Sequence, residues 1–412
     1  MSVVTSKSPA AAPVTLKSVG RGYFDRIRGG DLGALPAVLG LLVLCTTFSI
    51  MRPVFLSALN FANLLTQGAA LTVIAMGLIF VLLLGEIDLS AGYASGVCAA
   101  MLAVLLTQQG WPWYAAVLAS LLTGAIIGLA LGVLVAKLGI PSFVVTLAAF
   151  LAFQGVVLLM LKEGTNISIR DSTILAISNN NMTPTLSWAA LALGILGYAA
   201  TQLWRAHRRN QRGLSAEPLT LIALRVGILT AIAGTAVYVL NQERSRNAII
   251  VSLKGVPIIV PIIGVLLVGL TFVLRRTAYG RHIYAIGGNQ EAARRAGINV
   301  DALRISAFVI CSTMAAIGGV IAASRADSVD PNTGGSNVLL YAVGAAVIGG
   351  TSLFGGKGRI LDAVLGGAVV AVIINGMGLM GYSSGIKYVV TGFVLLLAAG
   401  VDALSRRRTA KR

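Results

Sequence analysis

Acidic residues are scarce in this chain: 14 Asp and Glu stand against 32 Lys and Arg, and charged side chains make up only 11% of its 412 residues. Histidine occurs twice and cysteine three times, and Cys45, Cys98 and Cys311 each fall inside an apolar run. That supply excludes a disulfide framework and offers no thiolate spacing for a metal site. The shortage of charge also excludes a soluble fold. What fills the chain instead is 57% hydrophobic residues and 48 glycines, with a mean hydropathy of +0.87. Apolar runs of about 20 residues recur throughout, more than a soluble core absorbs, so the fold class is an all-α polytopic integral membrane protein.

The net charge of +18 would suggest nucleic acid in a soluble chain. Here the basic residues lie beside apolar spans, so they read as topology signals and no nucleic acid is expected. They cluster at Lys17, Arg21, Arg26 and Arg28, at Arg205, Arg208, Arg209 and Arg212, through Arg275 to Arg304, and at Arg406, Arg407, Arg408, Lys411 and Arg412. All four clusters belong on the cytoplasmic side, with both termini. Residues 1–33 read as a disordered basic tail, 34–404 as the transmembrane domain and 405–412 as a second basic tail.

Polar breaks divide the domain into about 10 to 12 crossings, and twelve runs can be drawn. An even number places both termini on one side. The run over 339–354 is short and glycine-rich and reads as a half-helix that enters and turns back. Arg244, Arg246 and Lys254 resist this topology, because they fall in an external loop with only Glu243 to offset them.

Gly124, Gly128 and Gly132 recur every four residues, which lets another helix approach closely, and Gly92 and Gly96 read as packing positions in the same way. Residues 85–92 place Glu86, Asp88 and Ser90 beside apolar spans. A carboxylate exposed to lipid costs roughly 2.5 to 3.5 kcal/mol, so both acids must face water, a cavity or hydrogen-bond donors. Asp88 suits the N-cap of the next span. A capped turn and a broken helix lining a polar path both fit. No base, nucleophile or metal-ligand cluster accompanies the two acids, so no catalytic pair is expected.

Residues 275–304 form a charged island. Asn289 is placed as an N-cap, Glu291 complements the positive helix end, Arg294 and Arg295 complement the negative end, and Gly297 suits the left-handed position after it. This predicts a two-turn helix from about Gln290 to Ala296, too short to hold alone in water. Ala292 and Ala293 leave its middle narrow enough for another protein's backbone. The nearest approach to a phosphate loop is 351–358, where Thr351 replaces the first glycine and Gly358 replaces the magnesium-binding hydroxyl. Any ATP must therefore be used by a partner.

Glu291-Ala292-Ala293, followed three residues later by Gly297, resembles the loop of bacterial ABC importer permeases whose short coupling helix sits in a cleft of the ATPase. Residues 86–92 (EIDLSAG), 141–155 (PSFVVTLAAFLAFQG), 275–300 (RRTAYGRHIYAIGGNQEAARRAGINV) and 347–356 (VIGGTSLFGG) resemble the permease subunits of bacterial monosaccharide ABC importers of the ribose, galactose and xylose group. Residues 142–155 and 284–300 are similar to the D-xylose branch, and an extra pair of spans near 186–240 fits that longer branch.

The resemblance implies a permease homodimer in the bacterial inner membrane, a cytoplasmic ATPase with two nucleotide-binding cassettes, a periplasmic sugar-binding protein and a monosaccharide substrate, with no cofactor. It assigns ATPase coupling to Gly287, Gly288, Asn289, Glu291, Ala292, Ala293 and Gly297. Glu86, Asp88, Ser90 and Tyr341 are the candidates for the translocation path. Tyr341 stands where family members carry an acid before Val-Ile-Gly-Gly, and it serves equally as a sugar contact or an interfacial anchor. Two other readings remain open: an ion-gradient-driven secondary sugar carrier, and a scaffold whose basic loops bind anionic lipid.

Overall fold

A computed structural model describes residues 33–162, 165–213, 218–245 and 252–410. The tail expected over 1–33 lies outside these residues apart from Gly33, as do Arg246, Lys411 and Arg412. Without water in hydrocarbon, backbone polar groups must pair within their own segment, and the apolar runs accordingly fold as helices. These are α1 (Leu35–Met51), α2 (Ala58–Gln67), α3 (Ala69–Leu83), α4 (Ala91–Ala103), α5 (Trp113–Ala136) and α6 (Ser142–Leu161). Strand β1 (Ile167–Ser168) and α7 (Ser172–Asn179) precede α8 (Pro184–Gln211), α9 (Leu219–Leu240) and α10 (Ile259–Arg276). Then come α11 (Ala278–Gly288), α12 (Gln290–Arg295), α13 (Val300–Ala326), β2 (Ser328–Val329), α14 (Ser336–Ile348), α15 (Ile360–Leu379) and α16 (Ser384–Ala410).

Among the described residues, nine helices have the length and apolarity to cross a bilayer, fewer than the twelve runs drawn from hydropathy. One of the nine is α2 and α3 together, Ala58–Leu83, and another is α4 continued by a π turn over Val104–Gln108. The run over 339–354 falls short of a spanning helix, in keeping with its reading as a half-helix. It forms the 13-residue α14, which stops at Ile348. Gly349 lies so close to the carbonyl of Asp362 that a side chain has no room, and Gly350 has φ +114°, so the chain leaves the helix there.

The described chain divides into two units. In the larger, Gly33–Asn181 with Pro257–Arg406, the 27-residue α13 lies at the centre and packs on α3, α4 and α5. The glycine stripe of α5 explains its seam with α13. A Cβ at Gly124 would meet the Ser312 carbonyl at 2.6 Å, one at Gly128 the Phe308 carbonyl at 2.4 Å, and one at Gly132 the Cα of Ile305 at 2.7 Å. Packing is therefore the role of the stripe. Gly92 and Gly96 also pack, but against the turn before α14, where a Cβ would meet the Gly334 carbonyl at 2.8 Å and the Thr333 carbonyl at 2.2 Å. At the far end of α13, β1 and β2 pair antiparallel, and the Asn179 amide donates to Asp327 at 2.7 Å.

The smaller unit is built on Met182–Val256, where α8 and α9 pair as a hairpin. Its closing loop accounts for Arg244. Glu243 accepts from the amides of Arg244, Ser245 and Leu253 at 3.0 Å and from the Ser252 hydroxyl at 2.7 Å. The Leu253 and Ser245 amides and the Ser252 hydroxyl push its carboxyl down to about 2. Arg244 is buried and donates to the Gly255 carbonyl at 2.9 Å. This basic residue is thus a structural clasp.

Candidate functional site

The charged island is helical through most of its length. Helix α10 ends at Arg276, Thr277 caps α11 through the Gly280 amide at 3.4 Å, and Asn289 caps α12 by accepting from the Ala292 amide at 2.9 Å. The expected short helix forms over Gln290–Arg295, and Gly297 takes the left-handed conformation at φ +82°. The amides of Gly297 and Ile298 close the end on the carbonyls of Arg294 and Ala293, at 3.0 and 3.1 Å. Glu291 and Arg295 pair across one turn at 3.0 Å on a solvated face, where such pairs contribute little.

The exposed surface of α12 differs from the expected one. Ala292 is exposed, but Ala293 is 4% exposed and belongs to the chain's own core, so it seats the helix instead of meeting a partner. Gly287 also points inward. A Cβ there would lie 1.8 Å from the Leu83 carbonyl oxygen and 2.5 Å from the Gly356 amide, whereas Gly288 faces open space. Asn289, Glu291, Ala292 and Gly297 remain on the outside with Gly288.

Two further segments meet the island at this place. The Gly356 amide donates to the Leu83 carbonyl at 2.9 Å, joining the end of α3 to the loop between α14 and α15. The Tyr284 hydroxyl of α11 donates to the Gly358 carbonyl at 2.7 Å. Residues 351–358, which approach a phosphate loop in sequence, serve here as a tight connector: the Ser352 amide donates to the Lys357 carbonyl at 2.8 Å, and Gly355 and Gly356 both have positive φ.

Glu86 does not line an open path in this structure. It follows Gly85 (φ +78°) at the end of α3, is 8% exposed, and forms an ion pair with Arg304 in the first turns of α13. Arg304 also donates to the Gln290 side chain at 3.3 Å, at the start of α12. One guanidinium thus ties the short exposed helix to the break between α3 and α4. Lys137 and Arg294 add weaker, exposed contacts to Asp301 at 3.3 and 3.8 Å.

Asp88 is fully buried and is not the N-cap, which is Ser90. Its Oδ1 accepts from the Ser90 amide at 2.9 Å and the Ser90 hydroxyl at 2.6 Å, while Oδ2 has no hydrogen bond among the described residues. The cap shifts by two residues because the chain turns once more before α4: Ile87 is held by Ser142 and Thr146 of α6, at 3.3 and 3.2 Å. Burial pushes the Asp88 carboxyl up, against the lowering effects of Ser90, the Cys311 side chain and the Ala91 amide. A raised folded-state pKa means that stability is full below the ordinary carboxyl range and falls as pH rises through the shifted value. Asp88→Asn should therefore melt higher than the parent at neutral pH, and the difference should shrink on acidification in a thermal scan. A variant that melts lower at neutral pH would show that the charged form has a partner.

Tyr341 is half-buried on α14, beside Tyr388 and Thr391 of α16 and remote in sequence from the other path candidates. Arg304, the partner of Glu86, escaped the sequence reading because the two lie 218 residues apart. In the sequence Arg304 stands only as the last member of the basic cluster that begins at Arg275.

A short exposed helix is thus anchored where the ends of α3 and α13 and the α14–α15 connector converge. The family model described as branched-chain amino acid transport system / permease component matches residues 60–399. The chain belongs to that family. The permease is 38% identical over 357 residues to the xylose transport system permease protein of Escherichia coli, covering 86% of this chain and 87% of that protein. It is 31% identical over 384 residues to the Haemophilus influenzae xylose transport system permease protein, covering 93% and 99%. To the E. coli ribose import permease protein it is 30% identical over 383 residues, covering 93% and 97%. No solved structure matches the permease.

Proposed function

We propose that the permease is the membrane subunit of an ATP-binding-cassette importer that carries a monosaccharide, foremost a pentose such as D-xylose, into the cytoplasm by alternating access. A separate ATPase with two nucleotide-binding cassettes docks on the outer face of α12, a periplasmic binding protein delivers the sugar, and two copies of the permease enclose one path in the inner membrane, with both termini cytoplasmic. The single observation that carries this reading is the anchoring of α12. A six-residue helix cannot hold its shape alone, yet this one is capped at both ends, seated by Ala293 and tied through Arg304 to Glu86. Force applied to it reaches the ends of α3 and α13 directly. The names of the xylose and ribose relatives supply the sugar class.

Gly297→Val, combined with Glu291→Lys, tests the docking. Gly297 has open space around its Cβ position, so the cost is confined to its positive φ, about 1 kcal/mol for a β-branched residue. Membrane insertion should stay normal, while co-purification with the ATPase and D-xylose uptake in proteoliposomes fall several-fold. Uptake equal to the parent would remove the coupling assignment, and an anionic-lipid scaffold would retain full lipid binding with no sugar uptake in either protein.

A further inference from the structure

We infer that a row of carboxamides on α2, completed by Asn375 of α15, is a contact site for the hydroxyl groups of the transported sugar, an inference that rests on the sugar-permease reading. Asn60, Asn63 and Gln67 follow one another at spacings of three and four, which puts all three on one face of α2. Asn375 reaches this face from inside the apolar span α15: its side-chain amide donates to Asn60 Oδ1 at 2.9 Å and to Gln67 Oε1 at 3.3 Å. Asn60 is itself oriented by its donation to the Phe55 carbonyl at 2.9 Å.

Helix–helix packing alone does not account for this group. Two amides satisfy each other across a seam, but here three are joined and Asn63 lies on the same face of α2, and only Asn60, at 4% exposed, is sealed. Gln67 and Asn375 are half-buried and Asn63 is exposed, although all three lie in helices of membrane-spanning length and apolarity. The Asn375 Oδ1 atom is buried and has no hydrogen bond among the described residues. A carboxamide left unpaired against lipid is costly. A neutral polyhydroxylated ligand suits such a row, because each amide both donates and accepts and can bridge neighbouring hydroxyls, and no charge is needed.

Position supports the same assignment. Asn60 and Gln67 precede Leu83, at the coupling end of the same spanning helix, by 23 and 16 residues, or about 35 and 24 Å at 1.5 Å per residue. The amides therefore sit toward the end of the span opposite the ATPase handle, the side from which an importer receives its substrate. Phe48 of α1 covers Gly376, the next residue after Asn375, and closes one side of the group.

The test uses the full complex of permease, two-cassette ATPase and binding protein in proteoliposomes, with D-xylose and D-ribose as competing sugars. Asn375→Leu keeps the number and branching of side-chain heavy atoms but removes the hydrogen bonds, and Asn63→Leu changes an exposed residue. Both variants should lower uptake per recovered complex at least tenfold and change the xylose-to-ribose ratio at least threefold, with the dimer fraction on gel filtration unchanged. Uptake and ratio within twofold of the parent in both variants would overturn the site. A fall in the dimer fraction would also overturn it, because the amides would then join two copies of the chain. If the parent complex itself takes up neither sugar, the permease reading fails as well, a result distinct from active variants beside an active parent.

Discussion

Exchanging Arg304 for Glu should cut D-xylose uptake at least tenfold while the ATPase still binds. The Arg304 and Glu86 side chains are 20% and 11% exposed, so removing the cation strands a mostly buried carboxylate and places a second one beside it. Breaking such a pair costs on the order of 3 kcal/mol, reduced here by the remaining solvent contact. The double exchange Glu86→Arg with Arg304→Glu restores the attraction with the charges reversed and should recover most of the uptake. Recovery separates charge pairing from mere bulk, since the two exchanged side chains occupy the same space in the opposite order. Unchanged uptake in Arg304→Glu, or a double exchange no better than the single one, would show that movement at α12 does not pass through this pair.

Gly287→Ala should be the most damaging single methyl in the coupling segment. The new Cβ would stand 1.8 Å from the Leu83 carbonyl oxygen and 2.5 Å from the Gly356 amide, inside the 2.9 Å hydrogen bond that these two groups share. Both neighbours are backbone, so no flexible side chain can move aside, and α11 must lift from the end of α3. Gly288→Ala is the control, because nothing lies within 4 Å of its Cβ position. Uptake and ATPase co-purification should fall at least tenfold in the first variant and stay within twofold in the second. Equal behaviour of the two would place Gly287 outside the anchoring contact.

The two variants probe contacts that differ in how they are written into the chain. The fold class was legible from hydropathy, because a bilayer forces long apolar runs into helices whatever surrounds them. Helix α12 was legible almost to the residue, with Asn289 as cap and Gly297 left-handed, because capping bonds span only three or four positions and depend on residue type. The packing role of Gly124, Gly128 and Gly132 followed from their spacing for the same local reason.

Tertiary structure decided what those elements face. Spacing could not tell that Gly287 and Ala293 turn into the chain's own core while Gly288 and Ala292 turn out, since all four are small residues on one short segment. Hydropathy marked the run over 339–354 as short, but only the approach of the Asp362 carbonyl to Gly349 fixes the end of its helix at Ile348. Glu86 found Arg304 across 218 residues, and Asn375 found Asn60 across 315. The sequence by itself determined the fold class, the caps of α12 and the need for every charge in the membrane to have a partner. Which partner each one takes depends on contacts between distant segments, and these exist only once the spans have packed and excluded both water and lipid from between them.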